Sequence, residues 1–177
     1  MKDLTVVRHA KSSWQDPGLD DFERPLNGRG RKAAPLIGTW LSDQKIVPDL
    51  VLLSPSVRTV ETWDLFKNVG VQFGDERLVD EMYLAGLGVL TGQLTSLSSS
   101  LNRVMMIGHN PGLEFLIDSL VGSVEEGEAR AFHKLSQKFP TCGVVHLRLA
   151  IDQWSDLAPS MGRVYGATSP KLLLAEG

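Results

Sequence analysis

Four residues of this chain are suited to chemistry on an anion: Arg8, His9, Arg58 and His109. Each lies at or just past the end of a short apolar run, and these runs are Leu4–Val7, Leu50–Leu53 and Val104–Ile107. A guanidinium group presents a planar fork of N–H donors that matches phosphate oxygens. A neutral imidazole has a lone pair that can serve as a nucleophile or a base. The residue types therefore point to an anion site, provided that the fold brings them together.

Each of these residues also fits a purely structural role. His109 lies in Gly108-His109-Asn110-Pro111-Gly112, ahead of a predicted helix whose free N–H groups favour an anion, but the same turn could simply cap that helix. Arg58 falls in the first turn of a predicted helix, where a cation opposes the helix dipole unless an anion binds. The alternative is an exposed arginine that costs roughly a few tenths of a kcal/mol. Taken alone, Arg8-His9 fits a solvent-facing arginine beside a hydrogen-bonded histidine better than it fits an active site.

The three apolar runs read as buried strands, and a later strand is predicted from Gly143 to Ile151. A helix is predicted over 28–44 after the N-cap Asn27, and another starts with Ser54 as N-cap and Pro55 in the first helical position. Further helices are predicted over 87–97 and from Leu113 to Val121, where apolar residues recur at helical spacing. The segment Glu125–Glu128 reads as a solvated loop or a helix edge.

Strands that alternate with helices predict an α/β fold, a three-layer sandwich in which helices flank a mostly parallel central sheet. In open sheets of this kind, ligands bind at the carboxyl ends of the strands. The basic residues that follow the strands should therefore meet at one rim. A length of 177 residues fits one domain over residues 1–177.

Composition excludes several functional classes. A net charge of −3 leaves no surplus of cations for general nucleic-acid binding, and no stretch is long enough to cross a bilayer. The single cysteine, Cys142, forms neither an intramolecular disulfide nor a thiolate metal cluster. No signal peptide and no metal-binding histidine or acidic pattern stand out. We expect a cytoplasmic protein without a metal, a cofactor, a nucleic-acid partner or a membrane partner.

Four segments in order resemble the motifs of the histidine phosphatase superfamily, which has the phosphoglycerate mutase-like fold. They are Arg8–Trp14, similar to "RHG/A"; Asp21–Arg31, similar to "RPLTxxGR"; Ser54–Thr62, similar to "SPxxRxxxT"; and Met106–Pro111, similar to the second histidine motif. With the short chain and the segment Pro140–Gly143, the resemblance is nearest to the SixA-type phosphohistidine phosphatase branch. It extends from about Leu4 to Ile151.

The resemblance implies a metal-independent phosphatase in which His9 attacks phosphorus and forms a phosphohistidine that water hydrolyses. Arg8 and Arg58 would clamp the phosphoryl oxygens, and His109 would donate to them. For these roles His9 should be neutral. His109 acts best when protonated, so we expect the two histidines to differ in charge.

The group that protonates the leaving group is less well defined. The resemblance places a carboxylic acid near Glu81, with Asp80 as the alternative, although a surface carboxylate at a strand end fits the same pattern. Ser12 and Asn110 could add hydrogen bonds to phosphate, but polar loop residues usually serve turns. Asp21 and Arg24 are predicted to pair and order the loop after the first strand, with Arg24 alternatively facing the pocket.

The substrate class stays open between a phosphorylated protein and a small phosphoester. Ala10-Lys11 replaces the Gly-Glu or Gly-Gln of many mutase relatives, and the chain has no room for a large inserted cap. The first feature weakens the case for a mutase that acts on a small phosphoglycerate. The second implies an open pocket, which suits a phosphoprotein or a promiscuous phosphoester. The alternatives are a small-molecule phosphomonoesterase with the same site, a non-catalytic phosphate-binding module, and an interaction domain whose motifs are only turns and caps.

Overall fold

The β-branched run near the amino terminus forms a central strand, with buried side chains on both faces. The computed structural model describes residues 1–176. Within that part of the chain the strands are β1 Lys2–Arg8, β2 Leu50–Leu53, β3 Asp75–Leu78, β4 Arg103–Gly108, β5 Val121–Val124, β6 Val144–Leu149 and β7 Gly162–Thr168. The helices are α1 Gly28–Asp43, α2 Val57–Asn68, α3 Leu87–Thr95, α4 Gly112–Leu120, α5 Ala129–Gln137 and α6 Pro170–Glu176.

The seven strands form one sheet in the order β3-β2-β4-β1-β6-β7-β5. The pairs β3-β2, β2-β4, β4-β1 and β7-β5 are parallel, whereas β6 pairs antiparallel with both β1 and β7. Six strands therefore run in one direction and β6 runs in the other. The prediction of a mostly parallel sheet is confirmed.

Helices cover both faces of the sheet. On one face, Leu4 and Val6 of β1 join a core cluster that includes side chains of α3, α4 and α5. On the other face, Val7 of β1 joins a second cluster with side chains of α1 and α2. The structure is thus a three-layer α/β sandwich, as predicted. No helix in residues 1–176 is both long enough and apolar enough to cross a membrane.

Several predicted boundaries are confirmed and two are corrected. Asn27 caps α1, since its side-chain oxygen accepts a hydrogen bond from Gly30 N at 2.9 Å. Ser54 does not cap α2: its N–H donates to Ile107 O, the N-cap is Ser56, and the helix starts two residues beyond Pro55. Val121 does not end α4 but starts β5. Residues Glu126–Glu128 form a short 3₁₀ helix.

The topology places three neighbouring strand ends side by side. Strands β2, β4 and β1 are adjacent and parallel, with Leu53 paired to Ile107 and Arg8 paired to Gly108. The residues that follow these strand ends, Ser54, His109 and His9, therefore lie at one rim of the sheet. This is the carboxyl-end rim at which open α/β sheets bind ligands.

Candidate active site

His9 is held in one tautomer at the end of β1. Its Nδ1 lies 2.7 Å from the carbonyl oxygen of Ala10, and a carbonyl can only accept, so Nδ1 carries the proton. The lone pair of the neutral ring is therefore on Nε2. Thr62 Oγ1 accepts from the N–H of Ala10 at 2.9 Å and fixes the backbone that holds the ring.

Arg58 lies in the first turn of α2, where the sequence placed it, and is 3% exposed. Its Nε lies 3.3 Å from His9 Nε2, and its Nη2 lies 3.4 Å from His109 Nδ1. The same Nη2 donates to Asp21 Oδ2 at 2.9 Å. The guanidinium therefore contacts one ring nitrogen of each imidazole, and it is also bound to the carboxylate of Asp21.

His109 follows β4, and its ring centroid is 5.2 Å from that of His9. Its Nε2 lies 2.7 Å from Ser54 Oγ, at the neighbouring strand end. Because the guanidinium of Arg58 can only donate, His109 Nδ1 is the acceptor and Nε2–H donates to Ser54. The unprotonated Nδ1 thus points toward Arg58.

Both histidines are neutral at pH 7 in the free protein. The pKa of His9 is lowered to about 4, chiefly by burial and also by the charges of Arg58, Arg8 and Arg24, against an opposing hydrogen bond to Ala10. Burial, His9 and Arg58 lower the pKa of His109 to about 3. The expected difference in charge between the two histidines concerns the site with a bound anion, and it stays a prediction. A bound anion would favour the protonated form of His109.

Arg8 and Asn110 meet at the carbonyl oxygen of Phe139. Arg8 Nη1 and Asn110 Nδ2 both donate to it, at 2.8 and 2.9 Å. Arg8 Nε and Asn110 Oδ1 are buried with no hydrogen-bond partner in the described part of the chain. A buried N–H of a guanidinium without a partner is costly, and an anion in the pocket would offset that cost.

These side chains line a pocket of about 280 Å³ at the rim. Its lining is Arg8, His9, Lys11, Ser12, Trp14, Arg24, Arg58, Leu84, His109, Asn110 and Thr141. Four of these residues are Lys or Arg, and no carboxylate belongs to this described lining. This lining is suited to an anion, and the pocket brings together six of the seven predicted site residues.

The loop after β1 supplies the remaining wall of the pocket. Arg24 donates to Ser12 Oγ and pairs with Asp21 Oδ1 at 2.7 Å, which confirms the predicted pairing of Asp21 with Arg24. The Arg24 guanidinium also stacks on the ring of Trp14 and lines the pocket. Both expected roles of Arg24 are therefore present.

Glu81 is the predicted site residue that the structure leaves outside the pocket lining. It lies with Asp80 in a 3₁₀ helix, Asp80–Met82, and both side chains are exposed. Neither carboxylate has a hydrogen-bond partner among the side chains described. A role for either one as proton donor stays a prediction.

Ser54 and Tyr83 belong to the site but were missed as functional residues. Ser54 was read as a helix cap, although its place after a buried strand next to that of His109 was the available signal. The hydroxyl of Tyr83 donates to Asp21 Oδ2 at 2.6 Å, and its ring packs edge-on against His109. No local sequence pattern indicates this contact, because it joins two loops distant in the chain.

A sequence model of the histidine phosphatase superfamily, branch 1, matches residues 4–96, slightly more than half of the chain. The chain belongs to the histidine phosphatase superfamily. The match includes β1 and α2, and thus Arg8, His9 and Arg58, whereas His109 lies beyond it.

Members of known sequence and structure resemble almost the whole chain. The uncharacterised protein Rv1276c of Mycobacterium tuberculosis is 30% identical over 165 residues, 93% of this chain and all of that protein. A crystal structure provisionally assigned to phosphohistidine phosphatase SixA of Agrobacterium tumefaciens is 27% identical, with a TM-score of 0.77 over 96% of this chain and 98% of that one.

A more distant structure, protein histidine phosphatase SixA complexed with tungstate, is 22% identical and has a TM-score of 0.76 over 97% of this chain and 99% of that one. At this identity it supports the shared fold alone. Family and fold together support a phosphatase that acts on a phosphorylated substrate. Among residues 1–176 no group of three His, Cys, Asp or Glu side chains is arranged to hold a metal ion.

Proposed function

We propose that residues 1–177 form one metal-independent phosphatase domain that removes a phosphoryl group from phosphohistidine on a protein. The observation that carries the proposal is the environment of His9 Nε2. This nitrogen carries the lone pair, because Nδ1–H is bound to the Ala10 carbonyl, and it accepts a hydrogen bond from Arg58 Nε at 3.3 Å that a bound phosphoryl group would replace. A neutral imidazole beside a fixed cation is arranged to attack the phosphorus of a bound phosphoryl group.

In the first step the lone pair of His9 Nε2 forms a bond to phosphorus. The bond between phosphorus and the substrate imidazole breaks, and its electron pair goes to the leaving nitrogen, which takes a proton from solvent and ends as a neutral imidazole. In the second step a water oxygen attacks the phosphorus, gives a proton to solvent and displaces His9 Nε2. Inorganic phosphate leaves, and His9 recovers its lone pair.

The surrounding donors stabilise the negative charge of the transferring group. Arg8 and Arg58 bind the phosphoryl oxygens, and the incoming anion raises the pKa of His109 so that His109 also donates. Ser12 and Asn110 line the same pocket and add hydrogen bonds to the phosphoryl group. Removing one such donor costs about 3–4 kcal/mol of transition-state stabilisation.

The choice of phosphohistidine as substrate has two supports. The structure provisionally assigned to SixA of Agrobacterium tumefaciens carries that activity in its name. An imidazole is also a better leaving group than an alkoxide, so the reaction needs less help from an acid, and the pocket lining described above contains no carboxylate. We propose Glu81, with Asp80 as the alternative, as proton donor for phosphoester substrates only.

The test is to trap the covalent intermediate. Wild-type protein is mixed briefly with radiolabelled phosphohistidine peptide and denatured, and an acid-labile, base-stable label should map to His9. His9→Ala should abolish both the label and hydrolysis while the protein stays folded. His133→Ala removes an exposed histidine of α5 and should leave both unchanged. A label on another residue, or full hydrolysis by His9→Ala, contradicts the proposal.

Substrate class is tested by comparing kcat/KM for phosphohistidine peptide, p-nitrophenyl phosphate and sugar phosphates. We expect the phosphohistidine peptide to be preferred. Glu81→Gln should lower turnover of the sugar phosphates more than that of phosphohistidine, because an alkoxide leaving group needs the proton more than an imidazole does. Equal losses on both substrates would remove Glu81 from the role of proton donor.

A further inference from the structure

A second depression of about 520 Å³ opens beside the catalytic pocket. The two share Lys11 and Thr141, so their surfaces are continuous. The depression continues along α1 and α6 into a neighbouring hollow, which again includes Arg29 and Lys171. We call this continuous surface the basic groove, after its six cations: Lys11, Arg29, Lys32, Lys134, Lys138 and Lys171.

The cations of the basic groove form no ion pairs within the described chain. All six side chains are exposed, and none pairs with a carboxylate among the side chains that the structure describes. They are six of the 18 lysine and arginine residues in a chain whose net charge is −3. Arg29 and Lys32 also lie in the first turns of α1, where cations oppose the helix dipole. This local concentration of charge favours an acidic partner.

Between the cations the surface of the basic groove is aliphatic. Leu174 is 70% exposed, and Leu36, Ala33 and Ala175 lie beside it. No aromatic side chain belongs to the lining of either hollow in the described chain. Single-stranded nucleic acids bind through stacking on aromatic rings, whereas cations around an aliphatic strip match a protein surface that is acidic and partly apolar.

We propose that the basic groove docks the acidic, amphipathic segment of a protein that carries phosphohistidine, and so presents the phosphoryl group to His9. This rests on the proposed function, because the groove leads into the catalytic pocket at Lys11 and Thr141. The groove then determines which phosphoproteins are substrates, and the catalytic pocket supplies the chemistry.

Docking is tested with two peptides of about 20 residues, each with a central phosphohistidine; one carries Glu and Leu at helical spacing, and the other has Gln in place of each Glu. Wild-type protein should have a KM roughly tenfold lower for the acidic peptide. In the double variant Lys32→Glu/Lys171→Glu this preference should disappear. Turnover of p-nitrophenyl phosphate should not change, because neither residue lines the catalytic pocket.

The matched control is the double variant Lys45→Glu/Arg77→Glu. These cations are also exposed and unpaired in the described chain but lie outside the basic groove, after α1 and on the edge strand β3. The net charge change is the same, and the preference for the acidic peptide should persist. Loss of the preference in this control, or its survival in Lys32→Glu/Lys171→Glu, would overturn the docking proposal.

A binding experiment separates docking from catalysis. The His9→Ala protein should bind the unphosphorylated acidic peptide in calorimetry more tightly than the Gln peptide, and Lys32→Glu/Lys171→Glu should remove that difference. If this binding is found but no wild-type hydrolysis, the proposed function fails while the docking surface stands. Tighter binding of an oligouridine of about 20 nucleotides than of the acidic peptide would assign the groove to nucleic acid and overturn the proposal.

Discussion

Ser54 and His109 lie at neighbouring strand ends and share one hydrogen bond inside the protein. Ser54 Oγ is 2.7 Å from His109 Nε2, and Ser54 is fully buried. This bond holds the His109 ring so that Nδ1 faces Arg58. Ser54 is therefore expected to act as a positioning residue: it is not part of the pocket lining, but its bond determines which nitrogen of His109 faces Arg58.

We expect Ser54→Ala to lower kcat roughly tenfold by freeing the His109 ring, and to lower the free energy of unfolding by about 1 kcal/mol. Ser56→Ala is the control. Ser56 is equally buried and its hydroxyl bonds Thr59, so the loss of stability should be similar while kcat is kept. Nitrogen NMR of the imidazoles should show a mixture of His109 tautomers in Ser54→Ala only. Equal kcat for both variants would remove the positioning role.

The charge of His109 should depend on whether an anion is bound. In the free protein His9 and His109 have pKa values of about 4 and 3. Adding phosphate or vanadate places negative charge beside His109, which raises its pKa. At pH 7 imidazole NMR should then show His109 protonated and His9 still neutral with its proton on Nδ1. Protonation of His9 in the complex would contradict its assignment as the nucleophile.

At the scale of elements, α1 approaches the loop after β1 so closely that one position admits only glycine. A Cβ on Gly30 would collide with the carbonyl oxygen of Lys11. Lys11 O also accepts the N–H of Asn27, so this contact fixes the start of α1 against the segment that follows His9. The helix thereby supports the backbone that holds the nucleophile.

We expect Gly30→Ala to lower the free energy of unfolding by about 1–3 kcal/mol, because packed backbone must shift to admit the methyl group. Turnover should fall as well, since the shifted segment is next to His9. Gly28→Ala is the control: a Cβ there has open space, so stability and turnover should stay close to wild type. Urea unfolding and kcat/KM measure both effects. A fully active, fully stable Gly30→Ala protein would show that this close approach is unimportant.

The strands that bear the site were predictable, and the contacts between loops were not. β2 occurs at Leu50–Leu53 as predicted. A continuous run of apolar side chains is typical of a strand that is buried because helices cover both faces of its sheet. β3 is exposed along its whole length, so apolar patterning does not reveal it. Tyr83 was missed because its bond to Asp21 depends on the final packing of two loops. Ser54 was assigned to the wrong role because serine before proline is also typical of a helix start.

At the scale of the whole molecule, the order of the strands in the sheet brings the site residues together. Arg8-His9, Ser54 and His109 are distant in the chain, yet β2, β4 and β1 are adjacent and parallel, so their carboxyl ends are side by side. The sequence predicted parallel strands with basic residues at their ends, which is sufficient to infer a shared rim. The order of strands determines which ends are neighbours, and that order depends on long-range packing.

Burying two neutral histidines also makes the stability of the whole molecule depend on pH. In the unfolded chain a histidine has a pKa of about 6.5, whereas in the folded protein His9 and His109 have values of about 4 and 3. Between these values the unfolded chain binds more protons than the folded one. Stability is therefore greatest above pH 6.5 and is lost as the pH falls toward 4.

We expect the free energy of unfolding, from urea titrations at pH 7, 5.5 and 4.5, to fall by up to about 1.4 kcal/mol per pH unit for each of these two histidines. Burial also lowers the pKa of His146, which adds to the slope. The carboxylates with lowered pKa values, Asp21, Asp49 and Glu76, add to the loss of stability only toward the acid end of this range. The double variant His9→Gln/His109→Gln should have a clearly shallower slope. His133→Gln, which changes an exposed histidine, should keep the wild-type slope. If the double variant loses stability as steeply as wild type, the two pocket histidines are not buried in the neutral state, and His9 would lack the free lone pair that nucleophilic attack requires.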